Sequence, residues 1–164
     1  MSTDRISELV NEVFLASAAL TRTGDRLAAP QGLTAARWLV LGALQDGPLT
    51  MSEIGRRRGL SRQSARESVE RLERAGLVVR AGNPLDRRAP LLDLTEAGRD
   101  ALTAIEPRRA AWAASLARDL DPDEIRIATR LLRELRELRS EPTPDRVPTP
   151  PAFGAASSSG PAAP

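Results

Sequence analysis

Apolar positions recur with a helical period along most of the chain. Ile6, Leu9, Val10, Val13 and Leu20 predict an amphipathic first helix that ends before Pro30. Thr34 is placed to cap a second helix carrying Leu39, Val40, Ala43 and Leu44, which stops at Asp46-Gly47-Pro48. Thr50 and Glu53 have capping-box spacing and open a short helix with Met51 and Ile54 inward. After the tight connection Arg58-Gly59-Leu60, Ser61 caps a further helix that runs to about Ala75 and is closed by Gly76. The period then changes. Leu77–Arg80 and Leu91–Leu94 are short β-suited runs around the polar loop Gly82–Arg88, predicting a two-stranded hairpin. Thr95 caps a long alanine-rich helix with Ala97, Ala101, Ile105, Trp112 and Leu116, which Pro107 is expected to kink or split. Asp121-Pro122 opens a last helix with Ile125, Ala128, Leu131, Leu132, Leu135 and Leu138. From Glu141 onward lie seven of the thirteen prolines with few apolar residues, predicting a disordered tail over 141–164.

Two helices joined by a Gly-containing turn and followed by a hairpin define a winged helix-turn-helix, so the expected class is mainly α with a small β-hairpin wing. In the helix after Ser61, Ala65, Val69, Leu72 and Gly76 share one face at about 3.6 residues per turn. Gln63, Glu67, Glu70 and Arg74 lie opposite, with Arg66 on the flank. A helix that enters a major groove by its N-terminal end reads with its first turns. That selects Ser61, Arg62, Gln63, Ser64 and Arg66 as DNA-binding candidates. Arginine can bridge guanine O6 and N7, and glutamine can pair with adenine N6 and N7. Thr50, Arg56, Arg57 and Arg58 are candidate phosphate contacts. Arg87 and Arg88 at the loop tip suit a narrow, negative minor groove, with Asp86 expected to hold one of the two guanidinium groups. Which arginine is held is left open.

Charge supports a local polyanion surface. The 164 residues carry a net charge of +2, with 24 basic and 22 acidic residues, and every basic residue is arginine. Residues 53–88 hold ten arginines against five acidic residues, a net +5, leaving −3 for the remainder. At 41% apolar and 28% charged, the composition is that of a globular chain. No apolar run reaches the ~18 residues that span a bilayer, and the N-terminus lacks a signal-peptide layout, so no membrane partner and a cytoplasmic location are expected. With no cysteine and no histidine, disulfides, thiolate zinc sites and the commonest general base are excluded. Neither an enzyme nor a cofactor is expected.

Several segments together resemble the MarR-type winged helix-turn-helix regulators. They are Leu33-Thr34-Ala35-Ala36-Arg37-Trp38, Gly47-Pro48-Leu49-Thr50, Ile54 through Ser64, Arg71-Leu72-Glu73-Arg74-Ala75-Gly76-Leu77-Val78, Asn83-Pro84-Leu85-Asp86-Arg87-Arg88-Ala89 and Leu94-Thr95-Glu96-Ala97-Gly98-Arg99. The resemblance implies a homodimer built by the first and last helices, a pseudo-palindromic double-stranded DNA operator and, in many members, a small-molecule effector bound between the dimer helices and the DNA-binding lobe. The branch that senses through cysteine is closed to this chain. The expected organisation is one domain over 1–140, with a winged core at about 34–95 and dimerisation helices at about 4–28 and 96–140. The apolar stripe of the last helix independently asks for cover from a second subunit. Two-fold symmetry would set two recognition helices about 34 Å apart. Trp38 reads first as core, and Phe14 and Trp112 fit either a dimer interface or a pocket wall; these three are the ligand-binding candidates. The expected function is an effector-responsive repressor, with a non-specific DNA-architectural protein or a winged-helix adaptor as rivals.

Overall fold

The computed structural model describes residues 3–138, so the tail expected over 141–164 lies outside the described residues. It divides into two compact units, residues 1–119 and a second that begins at Leu120. In the first unit α1 spans Thr3–Ala28 and is followed by a 3-10 turn, Ala29–Gln31. Then come α2 (Ala35–Ala43), β1 (Leu49–Thr50), α3 (Met51–Arg58), α4 (Arg62–Arg74), β2 (Val78–Ala81), β3 (Leu91–Leu94) and α5 (Glu96–Asp119). The second unit contributes α6, Pro122–Leu138.

Side-chain caps set most helix starts. The Thr34 hydroxyl accepts from the Arg37 amide, and the Asp25 carboxylate of α1 accepts from the Ala35 amide at 2.7 Å, tying α1 to the N-terminus of α2. Gly24 adds closeness there, because a Cβ at that position would lie 2.9 Å from the Ala35 Cβ. Asp121 caps α6 by accepting from the amides of Asp123 and Glu124. Pro107 sits inside α5, which runs continuously from Glu96 to Asp119, so the helix is not split. A proline removes one N–H, and the hydrogen bonds of the flanking turns carry the helix on.

The core is built by Val40, Leu41, Leu44, Ile54, Val69, Leu72, Leu92 and Ile105, all essentially fully buried. Several expected inward positions differ. Leu39 faces outward and Leu41 takes its place, because α2 is apolar nearly all round and its pattern does not fix its phase. On α5 the buried face is Gly98, Ala101, Leu102 and Ile105, while Ala97 is exposed. Ser68 of α4 is buried beside Ala65 and Val69, and Gly76 lies beyond the helix end. The expected hairpin forms as β2 and β3, and β1 joins it to make a three-stranded antiparallel sheet in the order β1-β3-β2. Leu49 pairs with Leu92 and Thr50 with Leu91, so the two residues that lead into α3 also close the sheet edge.

One junction joins helix, wing and α5. Gly76, at φ 70°, turns the chain out of α4. The Thr95 amide donates to the Leu77 carbonyl at 3.1 Å, and its hydroxyl donates to the Gly76 carbonyl at 2.7 Å. The same hydroxyl oxygen accepts from the Gly98 amide at 3.0 Å. A Cβ on Gly98 would lie 2.1 Å from the Leu77 carbonyl oxygen, an overlap that only backbone displacement relieves. Gly98→Ala is therefore expected to destabilise the protein by roughly 1–3 kcal/mol or more. Gly82→Ala, where nothing lies within 4 Å, is expected to stay within about 0.5 kcal/mol of wild type. Chemical denaturation of the two variants side by side checks the contrast.

Candidate nucleic-acid interface

The interface is assembled by α3, α4 and the wing. The Thr50 amide and hydroxyl both donate to the Glu53 carboxylate at 2.7 Å, and the Glu53 amide donates back to the Thr50 oxygen, completing the capping box. Thr50's proton is thus engaged within the fold. α3 ends on Arg56, Arg57 and Arg58, and Gly59 at φ 64° makes the turn into α4. The Arg58 guanidinium lies near Gly42 of α2, with Nη2 3.2 Å from where a Cβ would stand, while the residue as a whole is exposed. Arg56 and Arg57 are exposed.

At the N-terminus of α4 the Ser61 oxygen accepts from the Ser64 amide at 3.1 Å, leaving the Ser61 proton free to donate. Arg62 and Gln63 are exposed and Ser64 is half-buried. Two pairs run along the exposed face. Gln63 Nε2 donates to Glu67 at 2.6 Å, and Arg66 Nε pairs with Glu70 at 2.8 Å. The Arg66 hydrogen bond holds the Glu70 carboxyl below its ordinary value, against the opposing effect of burial. Arg56, Arg62 and Arg66 converge on a groove of about 770 Å³ floored by Met51, Gly55 and Leu60. Arg80 of β2 also lines this groove, and sequence reasoning did not single it out. The Glu73 carboxylate accepts from its Nε and Nη2 at 2.6 and 2.9 Å, which raises the arginine's pKa. Arg80 shares a strand face with buried Val78, two residues before it, on the strand that follows α4, and that was the available signal. Arg80 and Arg88 share a second, smaller groove with Ser52 and Pro90.

The wing tip is held by its own polar groups. Asn83 Nδ2 donates to the Ala89 carbonyl at 2.8 Å, and its Oδ1 accepts from the Leu85 amide at 3.0 Å. Asp86 accepts from the Arg88 amide at 2.9 Å through its side chain and from the Ala89 amide at 3.1 Å through its carbonyl. The expected Asp86–guanidinium pair is therefore absent among the described residues. Asp86 shapes the turn instead, and both Arg87 and Arg88 side chains stand exposed. Of the ligand candidates, Trp38 packs against the core, Trp112 is half-buried and Phe14 is 66% exposed.

A family model described as the MarR family matches residues 31–89, from the end of the 3-10 turn to the wing. An uncharacterized protein of Mycobacterium tuberculosis is 37% identical over 132 residues, covering 80% of this chain and 92% of that protein. The chain belongs to the MarR family of transcriptional regulators. The transcriptional activatory protein BadR of Rhodopseudomonas palustris is 28% identical over 131 residues, 74% of this chain and 75% of BadR. Among solved structures, the MarR family regulator Sco5413 of Streptomyces coelicolor has a TM-score of 0.70 at 29% identity, covering 84% of this chain and 96% of that one. BpsR of Bordetella bronchiseptica, whose DNA binding is regulated by 6-hydroxynicotinic acid, has a TM-score of 0.64 at 26% identity over 80% of this chain and 98% of that one. The family makes this a DNA-binding regulator, and its named relatives are regulators rather than enzymes.

Hydrogen bonding to the Thr50 amide first, then to its hydroxyl, together with the charges of Arg56 and Arg57, holds the Glu53 carboxyl below its ordinary value of 4.5. A carboxyl lowered in the folded state stabilises above its unfolded value, and that contribution is lost as pH falls through the folded one. The melting-temperature gap between wild type and Glu53→Ala is expected to be widest at neutral pH. It should close on acidification below about 4.5, as followed by thermal melts across a pH series.

Proposed function

We propose that the protein is a homodimeric repressor that binds a pseudo-palindromic operator and releases it on binding a small-molecule effector. In this reading Ser61, Arg62, Gln63, Ser64 and Arg66 enter the major groove. Arg87 and Arg88 take the minor groove, and Arg56 and Arg57 hold phosphates. The observation that carries it is the exposed α4 tip, with a free Arg62, a Ser61 proton left over by capping, and a wing carrying two unpaired arginines on the same basic unit. The Gln63–Glu67 and Arg66–Glu70 pairs are exposed ion pairs and hydrogen bonds of the weak, screened kind, so DNA can take their donors over.

Dimerisation is supported by α1, where Ile6, Val10, Phe14, Leu15 and Leu20 are exposed, and by α6, where Ile125, Ile127, Leu131 and Leu132 are exposed. Effector control is supported by the 26% identity to BpsR, with Phe14 and Trp112 as the aromatic residues left partly uncovered. The ligand would act by changing the spacing of the two lobes, its effect limited to its differential affinity for the two states. Relatives carry both signs of regulation, BadR an activator and NicR of Pseudomonas putida a repressor. Repression is favoured here because occluding a promoter needs no contact beyond the DNA.

Anisotropy titration with the duplex upstream of the protein's own gene, against a scrambled duplex, tests the reading. The specific duplex is expected to bind at least about 10³-fold tighter at physiological salt. Arg62→Ala or Gln63→Ala should cost about 1–3 kcal/mol on the specific duplex and little on the scrambled one. Arg57→Ala should weaken both alike and, removing one phosphate contact in each subunit of the dimer, lower the salt slope by about 1.8. Equal binding to both duplexes by the wild-type protein would rule out a specific regulator.

A further inference from the structure

Leu85 is 96% exposed, far more than any other large apolar side chain among the described residues. Its exposure is not that of a slack loop. Its own amide is held by Asn83, the following turn is held by Asp86, and Asn83 spans the loop to Ala89. Pro84 fixes the backbone just before it. The tip therefore projects a leucine just ahead of the two unpaired guanidinium groups of Arg87 and Arg88.

An apolar tip followed by two unpaired cations has a complementary surface in the minor groove of a DNA duplex. The groove walls are deoxyribose faces, which are apolar, and its rims are phosphates. A·T-rich sequence narrows the groove, bringing the two sugar walls together and deepening the negative potential. Apolar side chains that enter this groove are a recurring device of minor-groove binders. We infer that Leu85 is a DNA-contacting, specificity-determining residue, which packs against the sugar walls of the minor groove and favours A·T-rich sequence on the flanks of the site. This inference rests on the proposed DNA reading and adds to it a contact that is apolar rather than ionic.

The charge-neutral character of that contact makes it separable. Salt dependence counts the phosphates neutralised, so removing an arginine lowers the slope of log K against log salt, whereas removing a leucine leaves it alone. Leu85→Ala keeps every hydrogen bond of the tip, which use the Leu85 backbone and the Asn83 and Asp86 side chains. The experiment compares wild type, Leu85→Ala and Arg87→Ala on two duplexes that share the central site and differ in A·T-rich or G·C-rich flanks. Leu85→Ala is expected to bind the A·T-flanked duplex roughly five- to tenfold more weakly, with the salt slope unchanged and flank discrimination reduced. Arg87→Ala should lower the slope. Unchanged affinity of Leu85→Ala on both duplexes, a change in self-association instead, or an equal loss on both flanks would overturn the inference. Those results leave recognition of the central site standing; a wild-type protein that binds neither duplex would overturn both readings.

Discussion

The surface that α4 and the wing present together depends on one close approach, that of Gly98 in α5 to the Leu77 backbone at the exit of α4. With no side chain at 98, α5 comes near enough for Thr95 to hydrogen-bond three backbone groups, two of them in the turn that ends the recognition helix. The C-terminal end of α4, the first wing strand and the first turn of α5 are thereby one piece. Leu94, pairing with Val78 across the sheet, continues the same connection into the wing. Backbone atoms packed this closely leave little room for α5 to slide over the end of α4.

That rigidity suits the polar chemistry at the other end of α4. Groups that read base edges gain from being held in place, since ordering them on contact would cost side-chain and backbone entropy. The helix is anchored by its buried Ala65, Ser68, Val69 and Leu72, and its tip by the Ser61 cap. Arg66 and Gln63 are not left loose either. Their i,i+4 acidic partners keep them extended along the helix surface, in contacts weak enough to be exchanged. Arg80 is different: two bonds to Glu73 make it a strut between β2 and α4 that also contributes positive charge to the groove.

Features carried by neighbouring residues could be read directly. The caps at Thr34, Thr50, Ser61 and Asp121 and the glycine turns at 59 and 76 each declare themselves within a few positions. Features that depend on distant contacts could not. β1 is two residues long, and its only local signal is the capping box that it shares with α3; its strand character comes from Leu91 and Leu92, some forty residues on. The phase of α2 was lost because Leu39, Val40 and Leu41 are all apolar, so only the surrounding helices decide which faces inward. Asp86 could pair with an arginine or with an amide, and the loop closure that favours the amide is set by Asn83 and Ala89 together. Arg58 shares the exposure of Arg56 and Arg57, and its nearness to Gly42 on α2 depends on helix packing that no local pattern declares.

The placement of apolar surface also bears on how the proposed dimer would work. α1 has 26 residues, but its close links to the rest of the first unit, Gly24, Asp25 and Ala28, all lie in its last turns. The earlier turns expose their aliphatic and aromatic residues, and a helix of that kind is stabilised mainly by what it packs against. If a two-fold partner supplies that surface, the positive field of residues 53–88 appears twice, once per half-site, while the acidic excess of the remaining chain sits elsewhere. A net charge of only +2 per chain is then no obstacle to DNA binding, because the duplex meets the local +5 rather than the total. Binding strength and spacing become properties of the assembly, and the helices that set the spacing are those that expose apolar residues to be covered.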